Sequence, residues 1–477
     1  MSNLPTAKQH QLTQDQATIL EALFESISAE CSSVLNSYDL DSKMSSLVGS
    51  AGTGKTYLTV QIVQKLIDAK ISCAITAPTH KAAGVISNLL LENKINANSK
   101  TIHSFLGIKP MIDYATGIES FVVDKKSKRT PVDVLLVDES SMISDELFEL
   151  ILEALASNFV RYVIFVGDPN QLLPVNSSSS AVFEIKNQYK LTQIVRQAKD
   201  SYIIKLANSI KEIIESKKYP PLDQFLKYNL DDNTKCFHNE ESFVNDFYAN
   251  EKWWDENKIL ATYKNRDVDG FNRQIRNHYW IEKGVMKPEV LRQGDSLRFL
   301  DGYSVNEITI YHNGQEIVLD YAVKKYHEKL ECYFWECKSA NVIDQQIFRV
   351  IDPISEKTFN DKLQFLANKA KITPFPARNE AWKIYYDVKN MFANVQYIYA
   401  STIHKLQGST YETCYINVYD LMTNNYMSLD EKYRLLYVAI TRASKEIKIF
   451  MPASRREESI DTSKLLSDID ERLSFVF

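Results

Sequence analysis

The sequence has few of the features that mark a secreted, membrane-bound or zinc-stabilised protein. Only six cysteines occur among 477 residues. Cys332 and Cys337 lie close together, but no second cysteine pair or histidine pair completes a zinc site, so free thiols in a reducing cytoplasm are expected. No apolar run reaches the roughly 18 residues of a membrane span. The N-terminus has no basic stretch leading into an apolar core, so no secretory signal is predicted.

The chain also lacks a strong net charge. Its formal charge is −5, which neither supports nor excludes a nucleic-acid ligand, because local potential decides such binding. Two small basic clusters occur, one at residues 125–129 and one formed by Arg266, Arg273 and Arg276. Each fits a solvated surface as well as it fits a binding site. A chain of 477 residues is too long for one hydrophobic core, so about two to four domains are expected.

The strongest motif is a glycine-rich loop. It fits the Gly-x-x-x-x-Gly-Lys-Thr pattern, in which backbone N–H groups cradle phosphate oxygens, the lysine reaches the β- and γ-phosphates and the threonine binds Mg²⁺. The loop consists of Gly49, Ser50, Ala51, Gly52, Thr53, Gly54, Lys55 and Thr56. An apolar strand precedes it, and an amphipathic helix follows. The apolar face of that helix is predicted to hold Leu58, Ile62, Val63, Leu66 and Ile67.

A second strong signal is an apolar run that ends in two carboxylates, Asp138 and Glu139. At the carboxyl end of a parallel strand, Asp138 can hold Mg²⁺ through water, and Glu139 can polarise the attacking water. A later strand leads into Gly-Asp-Pro-Asn-Gln, where Gln171 can contact the γ-phosphate and so report its presence. Arg196 is either a cation for transition-state charge or an ordinary surface arginine.

Several other residues have two interpretations. Thr13 and Gln16 form a predicted capping box, but the carboxamide of Gln16 can also recognise an adenine edge. Thr79 follows a strand end that is typical of a site in an α/β sheet, or it caps the next helix after a proline turn. Phe121 lies in a predicted β-hairpin and packs under a loop in the simpler interpretation. Arg442 at a helix end fits a dipole partner.

A second α/β unit begins after a polar helical segment, residues 200–257. It has a strand at 259–262 and a helix from Asn265, but no phosphate loop of its own. Short strands at 291–350, with an Asn313-Gly314 turn, predict a small β-barrel-like insertion. Polar helices at 355–390 predict a projecting arm, and the unit resumes with a strand at 395–400. Two such units with one phosphate loop predict one nucleotide in the cleft between them.

The ordered motifs resemble those of superfamily 1 helicases of the RecD–Dda group. The matching segments are Leu12–Gln16, Gly49–Thr56, Ala77–Ala83, Thr101–Ser104, Asp138–Met142, Gly167–Val175, Leu191–Arg196, Thr402–Thr410 and Tyr437–Arg442. They follow the family's order over nearly the whole chain, which makes the match more specific than any single motif. The resemblance implies an α/β fold with two RecA-like doubly wound parallel-sheet domains, a β-hairpin insertion in the first and an SH3-like insertion with an arm in the second.

The resemblance also sets expected domain boundaries. The first domain covers 1–195, with the hairpin at 107–130 as a candidate pin that splits the duplex. The second domain covers 196–290 and 391–452, the SH3-like insertion covers 291–390, and a peripheral tail covers 453–477.

Site roles follow from the same resemblance. Gln16 would recognise adenine, Gln407 and Gly408 would line the nucleotide side, and Arg196 and Arg442 would be the two arginine fingers. Lys55, Thr56, Asp138 and Glu139 would bind Mg-ATP and hydrolyse it, with Gln171 as the γ-phosphate sensor. The positions expected to contact single-stranded DNA, without sequence recognition, are Pro78, Thr79, His80, Thr101, His103, Phe121, Asn265, Thr402 and His404.

The expected function is ATP-driven, 5′ to 3′ translocation on single-stranded DNA with strand separation, using ATP and Mg²⁺. The alternative is a DNA-stimulated ATPase that displaces bound proteins or drives a nuclease complex without unwinding; no nuclease cluster is visible. A regulatory nucleotide-binding module without catalysis fits less well, because the hydrolysis groups are all present. Expected partners are single-stranded and forked DNA, with a single-stranded-DNA-binding or replication protein as a further one. A monomer is expected, since one motor per chain needs no second copy. The expected location is the cytoplasm of a bacterium or of a phage-infected host, and no membrane partner is expected because no apolar run is long enough.

Overall fold

The computed structural model describes residues 12–32, 39–124, 129–174, 180–193, 201–231, 234–305, 308–340 and 346–452. Arg196, most of the basic cluster at 125–129 and the predicted tail at 453–477 lie outside these ranges. No helix within the described ranges is long and apolar enough to cross a bilayer.

The first unit is a parallel sheet covered by helices on both faces. Its elements are α1 (Gln14–Ser32), β1 (Met44–Gly49), α2 (Lys55–Asp68), β2 (Cys73–Ala77), α3 (His80–Glu92), β3 (Ser99–Thr101), α4 (Ile102–Leu106), β4 (Ile108–Asp113), β5 (Ile118–Val123), β6 (Val132–Val137), α5 (Asp145–Ala156), β7 (Val160–Gly167) and β8 (Gln188–Leu191). The sheet order is β3-β2-β6-β7-β1-β8, and all neighbours are parallel. Helices α1 to α3 pack on one face, and α4 and α5 on the other.

Burial on both faces explains why the central strands lack polar alternation. All six residues of β1 are buried, as expected for a strand of a covered parallel sheet. The predicted apolar face of α2 is confirmed for four of its five residues, but the prediction was wrong for Ile67, which is 39% exposed. Ile67 lies one position beyond the buried Leu66, in the last turn of the helix, and is rotated by about 100° away from the packed face.

The second unit is interrupted by an insertion. Its first part contains α6 (Tyr202–Ser216), α7 (Leu222–Asn229), β9 (Lys235–Phe237), α8 (Glu240–Phe247), β10 (Lys258–Thr262) and α9 (Asn265–Glu282). The insertion contains β11 (Ser296–Phe299), β12 (Tyr303–Val305), β13 (Ile308–Tyr311), β14 (Glu316–His327), β15 (Cys332–Ser339), β16 (Ile347–Ile351), α10 (Glu356–Ile372), α11 (Ala377–Lys389) and β17 (Val395–Tyr397). The unit resumes with β18 (Ala400–Thr402), β19 (Tyr411–Asn417), α12 (Val418–Met422), α13 (Leu429–Thr441) and β20 (Ala443–Phe450).

The second parallel sheet has the order β18-β10-β19-β20-β9. This confirms the fold class of two doubly wound, parallel-sheet units. Its edge strand β9 pairs in parallel with β20, so the prediction that residues 200–257 are helical throughout was wrong. Only three residues form this strand, too few to show a period-two pattern.

The insertion is a five-stranded sheet with the order β16-β15-β14-β11-β17, beside the two-stranded sheet of β12 and β13. Strand β17 pairs antiparallel with β11, and β18 pairs in parallel with β10. The single strand predicted over 395–400 is therefore two strands in different sheets. Two intervening residues redirect the chain, and the partner of each short strand depends on distant pairing. The SH3-like class of the insertion stays a prediction.

The predicted arm is a helical pair, and its side reaches the β4–β5 hairpin. Ala370, Trp382 and Tyr386 form its small core, and Ile112 of β4 packs against them. The Tyr386 hydroxyl donates to the carbonyl oxygen of Gly117 at 3.0 Å. Because the hairpin belongs to the first unit and the arm to the insertion, this contact joins the two.

Gly117 sits at the centre of that contact. Its φ is +74°, and a Cβ there would overlap the Trp382 indole. In Gly117→Ala, the new methyl group adds a steric overlap to the backbone strain. We expect this change to destabilise the protein by about 1–3 kcal/mol more than a Gly→Ala change that adds backbone strain only. Gly314→Ala is the matched control, because Gly314 has a φ of +79° with open space around its Cβ position. Chemical denaturation of both variants would check this, and equal losses of stability would contradict the tight arm–hairpin contact.

Candidate nucleotide and DNA site

The phosphate loop connects β1 to α2 in the form that its sequence predicts. Gly54 precedes the helix in the left-handed region, with φ 79°, and Gly52 has φ 83°. A Cβ on Gly49 would lie 2.6 Å from Thr53 Oγ1, so this turn requires glycine. The loop therefore presents backbone N–H groups at a helix N-terminus, where an anion is stabilised.

Lys55 and Thr56 begin α2 and line a cavity of about 670 Å³. Lys55 Nζ donates to the carbonyl oxygens of Gly49 at 2.6 Å and Ser50 at 3.0 Å. The ammonium is thus held at the mouth of the loop, where phosphate oxygens would replace these carbonyls. The predicted loop residues and the lysine are brought together as expected.

The two carboxylates directly follow β6 and line the same cavity. Asp138 is 6% exposed, and burial, followed by the neighbouring Glu139 charge, raises its pKa to about 7 against the opposing effect of Lys55. Glu139 has a φ of +50°, and its Oε2 is buried without a hydrogen-bond partner. A buried carboxylate oxygen with no partner is costly, and it fits a group that binds the attacking water. The Thr56 hydroxyl and the Asp138 carboxylate are oxygen groups of the kind that Mg²⁺ prefers, so both fit the predicted metal role.

Gln16 has the capping role that its sequence predicts. Its backbone N–H donates to Thr13 Oγ1 at 3.2 Å, and its Oε1 accepts from the Thr13 N–H at 3.1 Å. The capping box is confirmed. Its Nε2 also donates to the Thr53 carbonyl at 3.1 Å, which fixes the carboxamide beside the cavity. One N–H and one lone pair remain on the carboxamide, so adenine recognition stays a prediction.

Side chains of the second unit hold the turn that follows β7. Gln407 Nε2 donates to Gln171 Oε1 at 3.4 Å. Arg434 Nη1 donates to the carbonyl oxygens of Pro169 at 2.7 Å and Gln171 at 2.9 Å. The predicted γ-phosphate sensor therefore lies in the cleft between the two units, in contact with both.

Arg442 reaches the same cavity from the end of α13. It is 6% exposed, and it donates to the carbonyl oxygens of Val438 and Ser409 and to Thr441 Oγ1, each at 3.1 Å. All three acceptors are neutral oxygens, so the guanidinium charge stays available to an anion. Gly408 lies beside Glu139, because a Cβ built on it would be 3.9 Å from Glu139 Oε1. Arg196, the other predicted arginine finger, lies outside the described residues.

The sequence did not identify every group at this site. Tyr437 hydrogen-bonds to both Ala51 and Asp168, and Arg434 makes the contacts given above, but neither was predicted as a site residue. Ser201, Ile203 and Ile204 line the cavity from the start of α6. Two signals for Tyr437 were present in the sequence: it begins the matching segment Tyr437–Arg442, and it places a polar hydroxyl within a run of apolar helix residues.

The threonines predicted to contact DNA are structural caps as well. Thr79 Oγ1 accepts from the Ala82 N–H at the start of α3, and Thr101 Oγ1 accepts from the Ser104 N–H at the start of α4, both at 3.2 Å. Ala77 and Thr101 are paired across β2 and β3, so both caps lie at one end of the sheet. Pro78, half-buried, is next to Thr79. The capping interpretation of Thr79 is confirmed, and the DNA contact stays a prediction.

Three aromatic rings extend from this edge. The His103 ring lies 5.9 Å from the Phe121 ring, and Phe121 is 66% exposed. The interpretation that Phe121 packs under a loop was therefore wrong, because the hairpin exposes the ring to solvent. His80 stacks at 4.3 Å on His312 of the insertion. Burial lowers the pKa of both His80 and His103, with a further effect of His312 on His80, so near pH 7 they would contact phosphate mainly as neutral hydrogen-bonding groups.

The second unit places its predicted DNA residues at strand ends too. Thr262 and Thr402 are paired across β10 and β18, so the two chain segments leave the sheet side by side. Asn265 begins α9 and is exposed. Thr402 is buried and its Oγ1 accepts from the Lys405 N–H at 3.4 Å, whereas His404 is exposed, 5.7 Å from the Tyr263 ring.

One basic cluster does not form a joint surface. Arg276 is 2% exposed, and its Nε and Nη2 donate to the two Asp295 carboxylate oxygens at 2.9 and 2.8 Å. Trp280 Nε1 also donates to Asp295 Oδ1, at 2.6 Å. Arg276 therefore anchors the insertion to α9, and the cluster predicted from Arg266, Arg273 and Arg276 was wrong for this member.

Comparisons with known proteins agree with this architecture. A family model described as an AAA domain matches residues 34–177, and one described as a UvrD-like helicase C-terminal domain matches residues 397–449. The first contains the phosphate loop, both carboxylates and Gln171. The second contains Gln407, Gly408 and Arg442. The site and fold thus define a phosphate-loop ATPase with two RecA-like units. Its relatives include superfamily 1 helicases of the group that contains RecD and Dda, and the chain is similar to them over most of its length.

Several relatives are similar over most of the chain. An uncharacterized protein of Acanthamoeba polyphaga mimivirus is 26% identical, over 84% of this chain and 94% of that protein. The ATP-dependent DNA helicase Dda of Enterobacteria phage T4 is 27% identical, over 84% and 92%. The RecBCD enzyme subunit RecD of Buchnera aphidicola is 24% identical, over 93% and 76%. A crystal structure of Bacteroides Pif1 helicase with ADP-AlF3 and single-stranded DNA is 16% identical, over 98% of each chain, with a TM-score of 0.49.

Proposed function

We propose that this chain is an ATP-dependent DNA helicase that translocates 5′ to 3′ on single-stranded DNA and separates duplex strands. The observation that carries the proposal is the placement of Arg442 and Gln407 from the second unit on the same cavity and turn as Lys55, Glu139 and Gln171 of the first. A triphosphate bound there would contact both units at once. The 5′ to 3′ direction is proposed from the RecD–Dda resemblance.

The site residues divide the work of hydrolysis. Lys55 and the loop N–H groups would bind the phosphates, and Glu139 would orient the attacking water and take up its proton. Arg442 would stabilise the charge that develops on the γ-phosphate oxygens. Thr56 and Asp138 would hold Mg²⁺, which neutralises phosphate charge when bound.

Hydrolysis would move DNA by opening and closing the cleft. Apart from Phe121 in the β4–β5 hairpin, the predicted DNA residues lie at or just after the ends of β2, β3, β10 and β18, so they are divided between the two units. When the units separate and approach, the spacing between these two groups of contacts changes. A strand gripped alternately by each group advances in one direction. We further propose that one chain works alone, in the cytoplasm of a bacterial or phage-infected cell, on single-stranded or forked DNA.

Tailed duplexes test this function directly. We expect ATP-dependent unwinding of a duplex with a 5′ single-stranded tail, and little unwinding with a 3′ tail or blunt ends. In the same assay, Phe121→Ala should reduce unwinding at least about tenfold while retaining DNA-stimulated ATP hydrolysis, because stacking on an exposed ring contributes about 1–3 kcal/mol per base.

Tyr114→Ala is the hairpin control, since Tyr114 is the other aromatic of the hairpin and faces the arm, with its ring 6.4 Å from that of Tyr386. Absence of unwinding from either tail would overturn the helicase assignment. ATP hydrolysis that single-stranded DNA stimulates, without unwinding, would favour the alternative of a motor that displaces proteins or serves a nuclease complex.

A further inference from the structure

A tyrosine of the second unit reaches the phosphate loop of the first. Tyr437 lies in α13 and is 1% exposed. Its hydroxyl donates to Asp168 Oδ2 at 2.7 Å and accepts from the Ala51 N–H at 3.2 Å. Both partners belong to the first unit, so the hydroxyl spans the cleft and is fully paired only while α13 lies against the loop.

Asp168 extends this contact to the γ-phosphate sensor. Its second oxygen, Oδ1, accepts from the Asn170 N–H at 3.0 Å and from Asn170 Nδ2 at 3.3 Å. The same carboxylate therefore binds Tyr437 and shapes the turn that carries Gln171. Burial and the Asp168 charge raise the pKa of Tyr437 well above its ordinary value, so the phenol stays protonated and remains a donor.

We propose that the Tyr437 hydroxyl is a positioning group that couples closure of the two units to the conformation of the phosphate loop. This inference rests on the proposed function, and deepens it. Opening the cleft would withdraw the hydroxyl from the Ala51 N–H and from Asp168 together, so both hydrogen bonds would break at once and be replaced by bonds to water. The loop geometry that suits a triphosphate and the closed cleft thus stabilise each other. By linkage, nucleotide binding and DNA binding across both units affect each other equally.

The same helix provides a matched control. Tyr433 lies one turn before Tyr437 and is fully buried, and its hydroxyl donates to the Pro220 carbonyl at 3.0 Å. That contact stays within the second unit. Tyr433→Phe and Tyr437→Phe each remove one buried hydroxyl and keep the ring, but only the second removes a contact across the cleft.

The test measures binding of a non-hydrolysable ATP analogue, alone and with saturating oligothymidylate. We expect Tyr437→Phe to weaken analogue binding by about tenfold, because a hydrogen bond to a charged group is lost. The factor by which the analogue and the oligonucleotide change each other's affinity should move towards one. Tyr433→Phe should keep both values within about twofold of the unmodified chain. Asp168→Asn should shift the analogue affinity and the coupling factor in the same direction as Tyr437→Phe. This second variant keeps the test decisive if the tyrosine variant folds poorly.

Two results would overturn the inference: Tyr437→Phe binding the analogue as tightly as the unmodified chain, or Tyr437→Phe and Tyr433→Phe losing analogue affinity equally. Failure of the proposed function gives a different result. If the unmodified chain binds no oligonucleotide, the helicase assignment fails, while the analogue affinities without DNA still decide the role of Tyr437.

Discussion

Lys55→Ala should reduce ATP hydrolysis by about 10²–10³-fold, the loss typical of removing one preorganised electrostatic contact from an active site. Its ammonium is the cation held at the mouth of the loop, on the carbonyl oxygens of Gly49 and Ser50. Without it, the negative charge on the β- and γ-phosphates loses one of the cations that compensate it. Phosphate release measured at saturating ATP and DNA would give the size of the effect.

Lys65→Ala is the matched control for this change. Lys65 lies on the same helix, where its ammonium pairs with Glu21 and lies 4.7 Å from the centre of the Phe24 ring. It is away from the cavity, so its removal should change the rate by less than about twofold, because exposed ion pairs contribute little. A Lys55→Ala protein that hydrolyses ATP at the unmodified rate would refute the assignment of the nucleotide site.

Arg442→Ala should lower the turnover number by about 10³–10⁵-fold, the range seen for arginine fingers. ATP binding should change by far less, because the charge that Arg442 faces develops mainly in the transition state. Arg442→Lys should also be slow, since a lysine keeps the charge but loses the planar fork that contacts two oxygens. Single-turnover hydrolysis together with analogue binding would separate the two effects.

Arg273→Ala serves as the control for arginine removal. Arg273 is on α9 of the same unit, and its Nε donates to the carbonyl oxygen of Asp269 on its own helix. Thermal melting of the Arg442 variants would show whether they fold, since loss of the guanidinium leaves the Ser409 and Val438 carbonyls without this donor. A folded Arg442→Ala protein with an unchanged turnover number would mean that cleft closure does not complete the catalytic site.

The parts of the fold and site that the sequence predicted depend on short stretches of chain. The glycines, Lys55 and Thr56 are consecutive, and Asp138 and Glu139 directly follow their strand, so local chemistry was enough to identify them. The capping box of Thr13 and Gln16 has the same local character. Two parallel-sheet units followed from apolar runs that alternate with helical patterns.

The parts that the sequence could not predict depend on distant partners. β17 and β18 are separated by two residues but pair with β11 and β10 of different sheets. The sequence predicts a surface charge at Arg276, because its partner, Asp295, is not close to it in the chain. The role of Tyr437 could not be predicted from its local sequence, because both of its partners are more than 260 residues away. Phe121 alternates like a packed strand residue, yet its ring is 66% exposed.

The Arg276–Asp295 pair has a mechanical consequence. It fixes the base of the insertion to α9, and the arm of the insertion returns to the first unit at Gly117. The insertion therefore connects the two units a second time, away from the nucleotide cleft: through α9 at its base, and through the arm–hairpin contact and the His80–His312 stack on the first unit. Because these contacts close a loop, we expect widening of the cleft to strain the contacts between the insertion and the first unit. Under the proposed function, each ATP cycle would then displace the hairpin that carries the exposed ring of Phe121.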